Sequence, residues 1–171
     1  MIEAGEKAPD FTLPDQDENE VTLSELRGEP VVLYFYPRAD TPGCTTQACG
    51  VRDHRLDYER AGARVIGVSP DPVSALKKFA DKHSLDFTLL ADADHSVCEL
   101  YGVWREKNMY GSMRGRAAAE GEARPVSRRG AQRATFVIDP AGTIAKVFPK
   151  VSPKTHDELV LKALVELEPA S

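Results

Sequence analysis

Apolar and polar residues along this chain follow β and helical patterns in turn. A six-residue apolar run from Val31 to Tyr36, between Pro30 and Pro37, predicts a strand buried on both faces. Two short runs near 11–13 and 21–23 predict a hairpin at the amino end. Similar patterns predict further strands, at 64–69, 88–90, 134–138 and 143–148. The last two are joined by a tight turn and should form a second hairpin.

Helical patterns separate these strands, and they are predicted at about 44–61, 71–83, 96–101 and 154–167. Asp71 should cap the second helix, because Pro72 follows it at a position where a helix tolerates proline. Strands that alternate with helices and end in a hairpin and a helix predict an α/β fold. We expect a mixed central β-sheet flanked by helices.

One segment, Gly111 to Ala131, is rich in arginine, alanine and glycine and has few large apolar residues. It can bury little surface, so it predicts a long mobile loop at about 111–131. The rest of the pattern predicts a single domain over 1–171.

Composition narrows the possible functions. The chain has 171 residues and a formal net charge of −5, which does not favour binding to nucleic acid or to an anionic membrane. Its longest apolar run is far shorter than the roughly 20 residues of a membrane-spanning helix. The charged amino end lacks an apolar signal core, so we expect a cytoplasmic protein.

Three cysteines carry the candidate chemistry: Cys44, Cys49 and Cys98. An odd, small number in a reducing compartment indicates catalytic, redox or metal-binding cysteines rather than a disulfide framework. His95 and Cys98 could be half of a zinc site, but the spacing of Cys44 and Cys49 suits zinc poorly. We therefore predict no metal and a core position for Cys98. The chain also lacks a nucleotide, haem or flavin motif, so we predict no cofactor.

Cys44 is predicted at the start of a helix, after a buried strand and a Thr-Pro-Gly turn. Helix N-terminal N–H groups and the helix dipole favour an anion there, and the thiolate is the reactive form of cysteine. Thr41 places a hydroxyl group in the same turn. The alternative is that Cys44 is a small apolar residue packed under the helix.

Cys49 follows five residues later in the same predicted helix. Helix geometry separates the two Cα atoms by about 8–9 Å, beyond the ~7 Å limit for a disulfide. A bond between Cys44 and Cys49 would therefore require the first helical turns to unwind. Gly50 weakens the helix by roughly 1 kcal/mol relative to alanine and should ease that opening. The alternative is that Cys49 is a buried helix residue.

The stretch from Pro37 to Cys44 contains the pattern Pro-x-x-x-Thr-x-x-Cys and resembles the active-site signature of peroxiredoxins. The second cysteine, followed by Val51-Arg52-Asp53, resembles the peroxiredoxin Q subfamily, also called bacterioferritin comigratory protein. The likeness extends over most of the chain, through the stretches at 5–13, 65–69, 101–104 and 133–139.

This resemblance implies a thioredoxin-like fold and thiol peroxidase activity. It makes Cys44 the peroxidatic cysteine and Cys49 the resolving cysteine, which together form an intramolecular disulfide. It also makes Thr41 and Pro37 part of the active-site signature and Arg133 the active-site arginine.

The arginine assignment has alternatives, because the segment at 111–131 is longer and richer in arginine than the family pattern. Arg128 and Arg129 could take the same role, but Arg133 keeps the expected spacing to the strand at 134–138.

The resemblance also implies the partners. We expect hydrogen peroxide and organic hydroperoxides as substrates, thioredoxin or a similar dithiol as reductant, and a monomer without nucleic-acid or membrane partners. An alternative is a peroxide-sensing thiol-disulfide relay that passes oxidation to a partner protein. A zinc-binding module without enzymatic activity is the third hypothesis.

Overall fold

The computed structural model describes residues 1–108 and 127–167. Its strands are β1 (Thr12–Pro14), β2 (Glu20–Thr22), β3 (Val31–Phe35), β4 (Arg64–Ser69), β5 (Thr88–Ala91), β6 (Trp104–Asn108), β7 (Ser127–Ala131), β8 (Thr135–Ile138) and β9 (Ile144–Phe148). Its helices are α1 (Pro42–Asp53), α2 (Arg55–Arg60), α3 (Val73–His83), α4 (Ser96–Leu100) and α5 (His156–Leu167), and a 3-10 turn covers Leu23–Leu26. Across the described residues, every helix is too short or too polar to span a membrane.

A five-stranded mixed sheet with the order β5-β4-β3-β8-β9 forms the centre of the fold. Strand β3 pairs parallel with β4 and antiparallel with β8. All five residues of β3 are buried, and successive side chains enter two apolar clusters. Because strand side chains alternate, these clusters lie on opposite faces of the sheet. The predicted α/β fold with a mixed central sheet is confirmed.

Both predicted hairpins are confirmed. Strands β1 and β2 pair antiparallel, with Leu13 opposite Val21. Strands β8 and β9 also pair antiparallel, through a turn in which the Gly142 N–H donates to the Asp139 carbonyl. The second hairpin extends the central sheet, whereas the first is a separate two-stranded unit.

The helix predicted at about 44–61 is in fact two helices that divide at His54. His54 has φ −95° and ψ 14°, outside the helical range. Its backbone N–H and its ring Nδ1 both donate to the Gly50 carbonyl, at 3.0 and 2.9 Å. The side chain thus competes for helical hydrogen bonds, as polar residues at helix ends do.

The predicted capping role of Asp71 is wrong. Helix α3 begins at Val73, and Pro72 occupies the cap position without a side-chain hydrogen bond. The Asp71 carboxylate instead accepts hydrogen bonds from the Ala39 N–H at 2.7 Å and from the Ser69 hydroxyl at 2.8 Å. It therefore fixes the loop between β3 and α1.

The loop predicted at 111–131 is too long at its carboxyl end, because Ser127–Ala131 forms β7. This strand pairs antiparallel with β6, with Trp104 opposite Ala131. Strands pair through backbone hydrogen bonds, which a polar, arginine-rich segment can also form. Because apolar and polar residues do not alternate in this segment, the sequence pattern did not predict a strand there. The remainder of the predicted loop, 111–126, lies outside the described residues.

Candidate active site

The sheet itself brings Cys44 and Arg133 together. Strands β3 and β8 run antiparallel, so the carboxyl end of β3 lies beside the amino end of β8. The Phe35 N–H donates to the Ala134 carbonyl at 2.8 Å at this edge. The chain leaves β3 toward Cys44 and enters β8 from Arg133. Two residues far apart in sequence therefore meet at one end of the sheet.

The Arg133 guanidinium contacts both Cys44 and Gln47. Its Nη2 donates to Cys44 Sγ at 3.3 Å, and its Nη1 donates to Gln47 Oε1 at 2.7 Å. Cys44 is 1% exposed and Gln47 is fully buried. Because the guanidinium is planar and rigid, two contacts from one helix fix its orientation. A Cβ atom at Gly43 would lie 3.0 Å from Arg133 Nη2, so glycine permits this close approach.

The start of α1 suits a negatively charged sulfur. Thr41 takes the cap position, Pro42 is the first helical residue, and Cys44 lies in the first turn, which carries no acidic residue. The first N–H groups of a helix lack intrahelical acceptors and carry partial positive charge. The start of the helix and the guanidinium therefore both place positive charge beside the Cys44 sulfur. The Thr41 hydroxyl donates to the Arg38 carbonyl at 2.9 Å, so its oxygen remains free to accept a hydrogen bond.

Cys44 lies in an otherwise apolar environment. Its cluster on this face of the sheet includes Tyr34, Tyr36 and Ala48. Burial raises the pKa of Tyr34 and of Tyr36 well above the ordinary value, so both hydroxyl groups stay neutral. Electrostatic interactions are stronger in such a medium, which favours the charge-assisted contact between the sulfur and Arg133.

Pro37 ends the central strand. It is exposed and follows Tyr36 directly. Proline lacks an N–H donor and fixes its own φ angle, so sheet pairing stops here and the chain turns toward α1. Pro42, the first residue of α1, is exposed as well.

Cys49 lies on α1 with Cys44 and is half-buried. All three cysteines are free thiols. In an intact helix the two Cα atoms are too far apart for a disulfide. The structure therefore shows the form of the protein in which α1 is folded and the Cys44 and Cys49 thiols are separate.

Helix α1 packs on α5 at the residue after Cys49. A Cβ atom at Gly50 would overlap with Asp157 Oδ2. Asp157 is 6% exposed and accepts a 2.5 Å hydrogen bond from the Tyr58 hydroxyl. The Tyr58 hydroxyl therefore holds the Asp157 carboxylate in place next to Gly50. Gly50 is required for this packing in addition to weakening the helix.

We expect Gly50→Ala to destabilise the protein by about 1–3 kcal/mol, the range for overpacking in a fixed site. Helix propensity alone predicts the opposite, a gain of roughly 1 kcal/mol. Thermal unfolding measures the difference. Gly130→Ala is the control, because a Cβ atom there meets no atom of the described residues within 4 Å. An unchanged or raised Tm in Gly50→Ala would show that Asp157 moves aside.

Cys98 lies on the other face of the sheet, in the cluster opposite that of Cys44. It is fully buried, and burial together with a hydrogen bond to Asp92 raises the pKa of its thiol far above the usual range. Its environment therefore keeps it protonated and unreactive. The core position predicted for Cys98 is confirmed.

His95 is stacked on an aromatic ring. Its imidazole lies parallel to the Trp104 ring, with centroids 4.0 Å apart. Over residues 1–108 and 127–167, no three His, Cys, Asp or Glu side chains are grouped so that they could hold a metal ion.

The sequence did not identify Gln47 as part of the site. A usable signal was present, since residues three apart on a helix share a face and Gln47 is three residues after Cys44. A glutamine that faces the core requires hydrogen-bond partners, and Arg133 supplies one for its amide oxygen.

Known proteins share both the sequence and the architecture of this chain. A model of the AhpC/TSA family matches residues 4–147. Peroxiredoxin Bcp of Escherichia coli K12 is 43% identical over 165 residues, which cover 96% of this chain and 97% of that protein.

Solved structures agree. The crystal structure of peroxidoxin BcpB from Mycobacterium tuberculosis has a TM-score of 0.82 at 33% identity, covering 98% of this chain and 99% of that one. A structure of Xanthomonas campestris peroxiredoxin Q has a TM-score of 0.82 at 32% identity, covering 95% and 97%. The chain therefore belongs to the AhpC/TSA family, as a thiol peroxidase of the peroxiredoxin Q, or bacterioferritin comigratory protein, group with a thioredoxin-like fold.

Proposed function

We propose that this protein reduces hydrogen peroxide and organic hydroperoxides through Cys44, forms a Cys44–Cys49 disulfide, and is recycled by thioredoxin. The observation that carries the proposal is the contact between the Arg133 guanidinium and the buried Cys44 sulfur at 3.3 Å, at the start of a helix. Both features stabilise a thiolate, which is the nucleophile that peroxide cleavage requires.

In the first step the Cys44 thiolate attacks one peroxide oxygen and the O–O bond breaks. The sulfur becomes a sulfenic acid, and the second oxygen leaves with the bonding electrons and takes up a proton to become water or an alcohol. The Arg133 guanidinium and the Cys44 N–H stabilise the charge that develops on the oxygens. The Thr41 oxygen can accept the peroxide O–H, because its own proton is donated to Arg38.

In the second step the Cys49 thiol attacks the sulfenic sulfur, a disulfide forms and water leaves. Helix α1 must unwind around both residues for the sulfurs to meet. A dithiol of the thioredoxin type then reduces the disulfide by thiol–disulfide exchange and is itself oxidised. In this scheme Pro37 shapes the loop that leads into α1.

Arg133→Lys should lower the second-order rate constant with peroxide by at least about tenfold. Lysine keeps the positive charge but cannot contact Gln47 and Cys44 with one rigid group. Stopped-flow oxidation of the reduced protein measures the rate. Arg64→Lys is the matched control, because Arg64 forms an exposed ion pair with Glu29. An unchanged rate in Arg133→Lys, with a loss in Arg128→Lys or Arg129→Lys, would assign the role to one of those residues.

The overall proposal is tested by a coupled assay with NADPH, thioredoxin reductase and thioredoxin, using hydrogen peroxide and an organic hydroperoxide in turn. A peroxidase consumes many equivalents of NADPH per protein chain. A peroxide-sensing relay forms the same sulfenic acid but retains its oxidation until a partner protein accepts it. Sustained NADPH consumption supports the proposal, and a single equivalent per chain supports the relay.

We also propose that the protein acts in the cytoplasm, where thioredoxin keeps thiols reduced. We further propose a monomer, because Cys44, Cys49, Arg133 and Gln47 all come from one chain. Light scattering after size-exclusion chromatography tests the oligomeric state. A stable dimer at working concentration would contradict this part of the proposal.

A further inference from the structure

The carboxyl end of α3 contacts the chain on both sides of the two-cysteine segment. Asp40 Oδ2 lies 2.9 Å from Lys82 Nζ, and Asp40 Oδ1 lies 3.0 Å from His83 Nε2. The His83 carbonyl accepts a hydrogen bond from Arg52 Nη1 at 2.5 Å. Asp40 precedes Cys44 by four residues, and Arg52 follows Cys49 by three. The segment that has to unwind is therefore held at both ends by one neighbouring helix.

The end of α3 is itself well anchored. The His83 ring meets the Phe79 ring edge-on, with centroids 5.4 Å apart, and Phe79 is 1% exposed. Ser84 ends the helix in a left-handed conformation, with its N–H donated to the Ala80 carbonyl. The contacts to Asp40 and Arg52 thus connect the segment that contains the two cysteines to the hydrophobic core.

Asp40 is suited to a contact that forms and breaks. Its backbone has φ 61°, a left-handed conformation that aspartate tolerates better than most residues. Its side chain is 43% exposed, and exposed ion pairs contribute little each. Hydrogen bonds from His83 and Lys82 lower the pKa of the carboxyl group, so it is ionised at neutral pH.

We propose that Asp40, held by Lys82 and His83, is a positioning clamp that sets how often the Cys44–Cys49 segment unwinds. The inference rests on the proposed function, in which the two cysteines bond only after unwinding. A tighter clamp prolongs the life of the sulfenic acid and exposes it to a second peroxide. A weaker clamp favours the disulfide. The first reaction with peroxide is unaffected as long as the folded form predominates.

Hydrogen exchange of reduced protein tests the clamp without any peroxide chemistry. Asp40→Asn keeps the shape and the backbone preference of aspartate but removes the charge. It should speed exchange across 44–50 by roughly two- to fivefold, the range for an exposed ion pair. Lys82→Met should act in the same direction.

The matched controls remove another ion pair made by the same helix. Asp17→Asn and Lys77→Met each break the exposed Lys77–Asp17 ion pair of α3, which spans 3.1 Å and does not involve the cysteine segment. Neither control should change exchange across 44–50. Equal exchange in the Asp40 variant and its control would overturn the clamp.

A kinetic experiment tests the consequence. Asp40→Asn should leave the rate of sulfenic acid formation unchanged, speed disulfide formation by roughly two- to fivefold and lower the sulfinic acid yield accordingly. Equal disulfide rates in Asp40→Asn and Asp17→Asn would contradict it. If the wild-type protein makes no Cys44–Cys49 disulfide, both the proposed function and the predicted effect on disulfide formation are overturned. The hydrogen-exchange data still decide whether Asp40 acts as a clamp.

Discussion

Cys44→Ser should abolish peroxide reduction, with a fall in rate of at least roughly a thousandfold. The serine hydroxyl stays protonated at neutral pH, and Arg133 together with the start of α1 cannot stabilise an alkoxide sufficiently to replace a thiolate. Cys44 is buried 3.3 Å from the guanidinium, so the substitution removes the proposed nucleophile while leaving its partners in place. Direct measurement of peroxide consumption gives the result.

The control for this prediction is Cys98→Ala, which removes a thiol from the opposite face of the sheet. Cys98→Ala should keep the rate of peroxide consumption within about twofold of wild type, because the contacts around Cys44 are unchanged. Circular dichroism and Tm of Cys44→Ser should match wild type closely. A folded Cys44→Ser protein that still consumes peroxide would show that another residue is the nucleophile.

Cys49→Ser should separate the first step from the rest of the cycle. Cys44 remains beside Arg133, so the variant should react once with peroxide at nearly the wild-type rate. Without a resolving thiol its sulfenic acid cannot become an intramolecular disulfide, and thioredoxin-supported turnover should fall by at least roughly a hundredfold. A second peroxide should then convert Cys44 to sulfinic acid, seen by mass spectrometry as two added oxygens.

The outcome depends on which thiol can reach Cys44. Cys49 is half-buried on the same helix, whereas Cys98 is fully buried and its pKa is raised by burial. Wild-type turnover in Cys49→Ser, combined with loss of turnover in Cys98→Ala, would reverse the two assignments.

Sequence patterns were sufficient where one physical effect dominates. The apolar run at β3 predicts a buried strand, and the turn at Asp139–Gly142 predicts the hairpin of β8 and β9. The position of Cys44 at a helix start followed from Pro42 and Gly43 together. These features are local, so a local pattern predicts them.

Features that depend on distant contacts were missed. Asp71 has the sequence context of a helix cap, yet it bonds to the Ala39 N–H, which the sheet brings near. From the sequence alone, Gly50 is only a residue that weakens a helix. Its close approach to Asp157 depends on how α1 packs against α5. Arg133 could be preferred over its neighbours from spacing, but its second partner, Gln47, required the packing of α1 on the sheet.

The central claim is that Cys44 reacts with peroxide and that Cys49 resolves it within the same chain. Peptide mapping by mass spectrometry, after one equivalent of hydrogen peroxide is added to the reduced wild-type protein, tests it most directly. We expect a peptide in which Cys44 and Cys49 are linked, with Cys98 still a free thiol. A Cys44–Cys98 disulfide, or a disulfide between two chains, would contradict the claim.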